Sequence, residues 1–479
     1  MAEQFPSLPS DFTTNIRQSF PIYAELLLHA LDHTEPITAI RYNRRKCDRF
    51  HYTHSFQSSE QVIPIPWYRG GYQLSERPTF SHDPLWHAGG YYVQEAASMA
   101  VASIAPLLPS HPIDALDLCA APGGKSTLLQ SILPQGSTLV ANEPIPKRAQ
   151  ILRENLLKWG DPYTLVTNNY PDQLQATGGR FDLIVVDAPC SGEGLFRKMP
   201  EARLEWSLRS VAECAKRQRQ ILDVAWSMLH VGGILVYCTC TFNMQEDEEQ
   251  AQYLVDKYHA RLLPISPQQE WQWIEGKEQL GWHFFPGITV GEGFYFVVLT
   301  KDDDEAMPLS VAPHKTKKGR EDVRKVSPKP DTSCLKWLSL DDLKEAEGKL
   351  LVSPNDPNEI CWIPKRLQAQ YELLCQSSAI RILSVGVPLG EKRGGDQMPS
   401  PYLPYSLLLR DEVFPSIDLN LKETLRYLAG DTLVPPQARK RGICLVRYQN
   451  LPIGFVKNVG SRCNNLYPKA YRLKQKLAF

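Results

Sequence analysis

Asp117-Leu118-Cys119-Ala120-Ala121-Pro122-Gly123-Gly124-Lys125 carries the chain from an apolar strand into a helix. Glycine lets a backbone approach a ligand closely, and the first turn of a helix offers N–H groups that have no partner inside the helix. The stretch matches neither the dinucleotide fingerprint nor the phosphate-binding P-loop. A Gly-Gly turn of this kind is more often a connector than a site. Glu143 changes that balance, because it closes the next predicted strand 26 positions after Asp117. A carboxylate at that strand end is placed to grip the hydroxyls of a ribose. Cys119, Ala120, Ala121, Pro122, Gly123, Gly124, Lys125 and Glu143 are therefore the candidate cofactor-binding residues.

Outward from this loop, strands and helices alternate. Residues 113–118, 137–143, 163–167, 181–188 and 234–239 read as strands. Helices are expected from Lys125 and over 147–159, 202–229 and 245–258, and residues 282–285 and 293–300 read as an antiparallel pair. Near-continuous apolar strands separated by helices mean a mostly parallel sheet covered on both faces. With a closing hairpin, this is a Rossmann-like, doubly wound α/β fold.

Two of the strands end in cysteine-bearing turns, Asp187-Ala188-Pro189-Cys190-Ser191-Gly192 and Tyr237-Cys238-Thr239-Cys240-Thr241. The C-terminal edge of a doubly wound sheet is where ligands bind. A thiolate is a soft nucleophile, and two thiols beside an acid suit covalent chemistry on a poor electrophile. C5 of cytosine is such a centre. It resists an electrophilic methyl group until a nucleophile adds at C6, and a base must later remove the C5 proton. Cys190, Cys240 and Asp187 would supply a nucleophile, a proton acceptor and a partner for the pyrimidine edge. A buried cysteine is by default a small hydrophobe, which accounts for Cys214 or Cys375 better than for a thiol in a Pro-Cys-Ser-Gly turn. Cys238 and Cys240 are also spaced as half a zinc site, but no matching Cys/His pair lies nearby, so no metal is expected.

The chain has 479 residues, more than a single core accommodates, and 43% hydrophobic residues make it globular. Its 53 basic and 53 acidic residues cancel, so no overall field marks a nucleic-acid partner. The balance fails locally. Between Gln437 and Phe479 there are ten Lys/Arg and no Asp or Glu, which reads either as a phosphate-binding segment or as a solvated basic tail. Arg439, Lys440, Arg441, Lys457 and Arg462 are the candidate RNA-binding residues there. Lys198, just beyond the Cys190 turn, joins them, although an exposed loop lysine is equally ordinary. Eleven cysteines without framework spacing, and no secretory leader pattern, point to reduced thiols in the cytoplasm. The most apolar longer stretch, 96–108, is too short to span a bilayer.

The chain divides into an N-terminal extension over 1–110, the doubly wound domain over 111–301, a charged linker over 302–333 and a C-terminal α+β region over 334–479. Helical spacing covers 12–31, a short strand is expected at 40–43, and a strand at 91–95 leads into a small-residue helix over 96–107. Beyond the linker, a helix is expected over 337–350, strands at 359–364 and 380–389, and a β-rich end from Gly442.

At these motifs the chain resembles the RNA 5-methylcytosine methyltransferases of the RsmB/RsmF and Nop/Sun group. The likeness rests on residues 119–125, on Asp187-Ala188-Pro189-Cys190-Ser191-Gly192-Glu193-Gly194 and on Thr239-Cys240-Thr241-Phe242-Asn243, in that family's order and spacing between Tyr92 and Lys301. Ile40-Arg41-Tyr42-Asn43, Tyr92-Val93-Gln94-Glu95-Ala96-Ala97-Ser98, Gly454-Phe455-Val456-Lys457 and Asn465-Leu466-Tyr467-Pro468 resemble flanking segments of its ribosomal RNA branch. One departure is that Asn168-Asn169-Tyr170 stands where the family usually has an Asp near the adenine. The resemblance implies a class I methyltransferase fold with a mostly parallel seven-stranded sheet, an N-terminal α/β extension and a PUA-like RNA-binding end. It implies S-adenosylmethionine as cofactor, Cys240 as the nucleophile at C6, Cys190 in product release, and Asp187 on the pyrimidine edge and beside the cofactor. The implied partner is RNA, either ribosomal RNA or the small ribosomal subunit, met by a monomer in the cytoplasm away from membranes. A transfer RNA substrate stays open at this point, as does a non-catalytic RNA-binding assembly factor, against which intact Cys190, Cys240 and Asp187 weigh.

Overall fold

Neighbouring residues of each central strand point to opposite faces, and both faces are buried. Leu116, Ile184 and Leu235 pack on one side, and Ala115, Val185 and Val236 on the other. The computed structural model describes residues 6–47, 62–303, 335, 338–343, 347–393, 396–434 and 441–473. Five strands run parallel: β1 (Asp114–Asp117), β2 (Thr138–Asn142), β3 (Thr164–Thr167), β4 (Phe181–Asp187) and β5 (Leu229–Thr239). Their order across the sheet is β3-β2-β1-β4-β5. β6 (Trp282–Phe284) and β7 (Phe294–Thr300) form the closing antiparallel pair, with β7 against β5. The expected Rossmann-like α/β sheet is present, and it is wider than seven strands. Arg261–Leu262 and Ile274–Glu275 extend the hairpin side. At the opposite edge β8 (Ile382–Val385) pairs antiparallel with β3, which makes ten strands.

β8 corrects one expectation. Residues 380–389 were expected as one strand, but Gly386, at φ +60° and close against the Trp362 carbonyl, turns the chain between β8 and Val387–Arg393. A second correction concerns 337–350, expected as a helix. Its described residues hold a 3-10 turn at Leu340–Asp342 and the start of the strand Gly348–Val352, which pairs with Glu359–Pro364.

Helices α1 (Gly124–Ile132), α2 (Pro146–Trp159), α3 (Leu208–Ser227) and α4 (Glu248–Tyr258) follow β1, β2, β4 and β5. The helix expected over 202–229 is broken. Ala202–Glu205 stops at Trp206, whose indole N–H donates to Glu193 at 3.0 Å. Ser207 then caps α3 by accepting from the Ser210 amide. Small side chains over 96–107 form a 3-10 helix, Ala97–Leu107, against the sheet.

In the N-terminal extension, helices Ser10–Ser19 and Ala24–His33 replace the single helical stretch at 12–31, and Thr38–Tyr42 lies between Gly71–Leu74 and Tyr91–Val93 in a small antiparallel sheet. The C-terminal sheet, of Ser416–Asp418, Gly442–Tyr448, Leu451–Asn458 and Cys463–Asn465, buries Cys444, Val446 and Ile453 in one cluster with Ile40, Tyr72 and Tyr91 of that extension. The two ends of the chain thus share a core. Of the expected linker, 302–333, all but Asp302 and Asp303 lies outside the described residues.

Candidate active site

Parallel pairing of β4 with β5 sets Asp187 opposite Cys238, and the Ala188 amide donates to the Cys238 carbonyl at 2.9 Å. Both chains then turn at the same sheet edge. As a result Cys190 Sγ and Cys240 Sγ lie 3.1 Å apart, and the Cys240 amide is 3.4 Å from Cys190 Sγ. Both are free, half-buried thiols. The hydrogen bond with Cys240 and then burial push the Cys190 thiol well above its ordinary range. Cys238, the last residue but one of β5, is buried in the core, where burial raises its thiol too. Cys238 thus lies within the strand, and Cys240 lies in the turn beyond it.

The two turns are tied together by residues outside the predicted set. Glu193 accepts from Thr241 Oγ1 at 2.6 Å, the Phe242 amide at 2.8 Å, Asn243 Nδ2 at 3.0 Å and the Trp206 indole. Glu246 accepts from the Ser191 amide at 3.0 Å, Asn243 Nδ2 at 2.8 Å and Gln218 Nε2 at 2.8 Å. Burial raises both carboxyls above the usual range despite these donors. Gly194 packs so closely on Gly293 and the Cys240 carbonyl that a Cβ would lie 2.7 Å from one oxygen and 2.9 Å from the other. Glu193 and Asn243 stand inside the motif strings and could have been found there. Glu246 had no local signal. Beneath the second turn, Thr239 Oγ1 donates to Asp247, a member of the buried Asp247–Glu248–His283 group in which His283 Nε2 meets Glu248 at 2.8 Å.

At the Gly loop, Gly123 takes φ +113° as the N-cap of α1, a conformation that L side chains rarely adopt. Lys125 does not reach into solvent. Its Nζ pairs with Asp187 Oδ2 at 2.8 Å and sits 4.9 Å from the centre of the Phe294 ring. Burial opposes its charge, but Asp187 and Cys238 outweigh that and hold it above the ordinary lysine range. Glu143 is buried, accepts from the Ile145 amide at 2.9 Å and lies 3.5 Å from Arg148 Nη1. Asp117, not among the predicted residues, is fully buried beneath the loop. Ser126 donates to its Oδ2 at 2.6 Å, and its Oδ1 has no partner. Burial pushes its carboxyl up to about 7. Cys119 is pushed up likewise by burial. Ala120 and Ala121 are buried under the loop and Pro122 is exposed.

The N-terminal motifs brace this loop. Arg41 bonds Gln94 Oε1 at 2.7 Å and Thr127 Oγ1 at 2.5 Å, with Trp159 stacked on its guanidinium. Asn168 Nδ2 donates to the Glu143 carbonyl at 2.8 Å, while the neighbouring Tyr170 is exposed.

Of the predicted RNA-binding residues, Lys198 is exposed beside Arg197, which pairs with Glu292 at 2.8 Å. The pairings Gly442↔Asn458, Ile443↔Lys457 and Asn458↔Cys463 bring Arg441, Lys457 and Arg462 to one end of the C-terminal sheet. Arg439 and Lys440 lie outside the described residues.

A doubly wound sheet with a Gly loop after β1, an acid after β2 and two thiols after β4 and β5 has the architecture of a methyltransferase. Comparison with known families agrees. The family model for 16S rRNA methyltransferase RsmB/F matches residues 105–300, that for the N-terminal domain of 16S rRNA methyltransferase RsmF matches 8–96, and that for the methyltransferase RsmF PUA domain matches 414–473. Ribosomal RNA small subunit methyltransferase F of Escherichia coli O1:K1 is 30% identical over 417 residues, covering 85% of this chain and 84% of that protein. The Salmonella agona protein of the same name is 30% identical over 426 residues, with the same coverage of both chains. The chain belongs to the RsmF family of ribosomal RNA small subunit methyltransferases, and it is an enzyme by that membership. Among solved structures, a methyltransferase homologue from Pyrococcus horikoshii superposes with a TM-score of 0.53 at 24% identity, covering 61% of this chain and 95% of that one. NSun6 from the same organism, solved with SFG, gives 0.54 at 18% identity, covering 62% and 99%. These two share the fold. Among the described residues no helix is long and apolar enough to cross a membrane.

Proposed function

We propose that this enzyme methylates C5 of a cytosine in small-subunit ribosomal RNA, using S-adenosylmethionine and a transient covalent bond between Cys240 and C6. The observation that carries this reading is the 3.1 Å approach of the Cys190 and Cys240 sulfurs at the sheet edge that also presents Asp187. One thiol cannot be bonded to C6 and also collect the C5 proton. Two adjacent thiols can.

The surroundings of the Gly loop suit the cofactor, whose sulfonium and ammonium groups are cationic. Asp117 and Asp187 both interact there with the ammonium of Lys125, and the inward oxygen of Asp117 has no hydrogen bond. Glu143 is placed for the ribose hydroxyls, and the residues from Cys119 to Gly124 would line the rest. When bound, S-adenosylmethionine supplies the electrophilic methyl group.

The chain's own residues do the remaining work. Cys240, as the thiolate, adds to C6 and makes C5 nucleophilic. Asp187, held by Lys125, accepts a hydrogen bond from the N4 amine and holds the pyrimidine edge for the addition. Cys190 retains its proton while it is hydrogen-bonded to Cys240. Bonding of Cys240 to carbon breaks that hydrogen bond and removes the largest cause of the raised Cys190 pKa. Cys190 can then release its proton to solvent and, as the thiolate, take the C5 proton. The C5–H electron pair restores the 5,6 double bond and expels Cys240 as thiolate. The target base must leave its stack to reach these thiols. The RsmF family membership and the PUA-domain match support ribosomal RNA as the substrate.

Alanine variants of the two thiols test this mechanism. Cys190→Ala should accept the methyl group, stall before elimination and accumulate a protein–RNA species that survives denaturing electrophoresis. Cys240→Ala should bind RNA and cofactor but form no adduct. If Cys240→Ala alone traps the adduct, the roles are reversed. If both variants stay active and trap nothing, the covalent mechanism fails. Mapping methylated cytosines in RNA from cells with and without the gene tests the substrate and separates ribosomal from transfer RNA.

A further inference from the structure

A cleft of about 640 Å³ opens between the N-terminal extension, helix α2 and the C-terminal end of the chain. That volume lies within the range of built ligand sites, about 300–1,000 Å³. Its walls combine aromatic rings with cations. Lys158 Nζ lies 3.9 Å from the centre of the Trp86 ring. The Tyr402 and Tyr471 hydroxyls bond each other at 2.5 Å, with their rings inclined at 62°. Arg472 lines the cleft beside Tyr471, and Glu154 is the one carboxylate among its lining residues. Aromatic faces interleaved with positive charge are what an unpaired nucleotide requires, because every base has a stacking face and every linkage a phosphate.

We propose that this cleft holds an unpaired nucleotide of the RNA substrate, its base against Trp86, Tyr402 or Tyr471 and its phosphate toward Lys158 and Arg472. The proposal rests on the RNA reading above and concerns a second nucleotide, distinct from the cytosine at the thiols. Lys158 suits an anion in this place: burial lowers its ammonium to about 8, and a neighbouring phosphate would raise it again. The cleft also touches the cofactor loop. Asn155, one of its lining residues, donates to the Pro122 carbonyl at 2.8 Å, and Arg148, two turns earlier on α2, donates to the Ala121 carbonyl at 2.9 Å. A nucleotide seated in the cleft therefore bears on the loop that positions the methyl donor, and it would fix the register of the RNA relative to the thiols.

The test uses the full chain and an unstructured RNA oligonucleotide carrying 4-thiouridine beside the target cytosine. Cross-links mapped by mass spectrometry should fall on peptides containing Trp86, Tyr402 or Tyr471. Lys158→Met keeps the aliphatic stem over Trp86 and removes the charge, and Tyr471→Ala removes a ring. Each should weaken RNA binding roughly tenfold, with cofactor affinity by calorimetry and circular dichroism unchanged. Unaltered RNA affinity in both variants, with no cross-link in the cleft, overturns the proposal, and a Cys190→Ala chain that still traps the Cys240 adduct shows that the catalytic reading survives it. A wild-type chain that neither binds nor methylates RNA overturns both.

Discussion

Glu193, just beyond the Cys190 turn, accepts hydrogen bonds from the Thr241 hydroxyl at 2.6 Å and the Phe242 amide at 2.8 Å, in the turn that carries Cys240. The separation of the two sulfurs is thus set by a carboxylate that need not touch substrate. Glu193→Ala leaves several buried donors without an acceptor, each worth about 1–3 kcal/mol. It should lower thermal stability and, by misplacing Cys240, reduce kcat on the order of a hundredfold. Glu193→Gln keeps one acceptor oxygen and should fall between. A kcat unchanged in a folded Glu193→Ala protein would show that the two turns hold their places without it.

Glu143→Ala should weaken S-adenosylmethionine binding by roughly 1.5–3 kcal/mol, the value of a charge-assisted pair to the ribose hydroxyls. Glu143 also accepts from the Ile145 amide at the start of α2, so a small drop in melting temperature should accompany the change. Calorimetric titration measures the first effect and a thermal melt the second. Equal cofactor affinity in the variant would remove Glu143 from the site.

Asp117 makes a pH-dependent prediction. Its carboxyl is raised by burial to about 7 in the folded protein, against an ordinary 3.8. A group raised on folding contributes stability that is full below its unfolded pKa and is lost as pH rises through its folded pKa. The cofactor-free enzyme should therefore lose stability between about pH 4 and pH 7, by at most about 1.4 kcal/mol per pH unit. Asp117→Asn should flatten this slope and raise the melting temperature at pH 8. A melting temperature with the same pH dependence in both proteins would show that Asp117 is ionised throughout.

The basic C-terminal segment should give salt-dependent RNA affinity. Deleting it is the wrong experiment, because Cys444, Val446 and Ile453 are buried against the N-terminal extension. Arg441→Gln with Arg462→Gln leaves that core intact. For each phosphate that the double variant no longer neutralises, the slope of log K against log salt should shrink by about 0.7, the value for single strands. An unchanged slope would make this end of the sheet a structural cap.

The periodic and contiguous features of this protein were legible in its sequence. Apolar runs of strand length, the Gly loop, Glu143 at a strand end and the two cysteine turns each depend on residues close together in the chain. The spacing of those motifs along alternating strands and helices was enough for a doubly wound fold. What local pattern lacks is the identity of the partner. Trp206 ends a helix that periodicity would continue, because its indole must reach Glu193. Leu350 lies in a strand because it pairs with Trp362. The fold recruits β8 to an edge of the central sheet from more than two hundred positions beyond β3. In the site, residue types and strand ends came from the sequence. The tertiary structure alone decided that Lys125 is bound to Asp187, that Glu246 supports the first turn, and that Cys190 and Cys240 meet while Cys238 stays in the core. Strand pairing and the turns that follow the strands bring together groups some fifty residues apart, and neither is written at any single position of the chain.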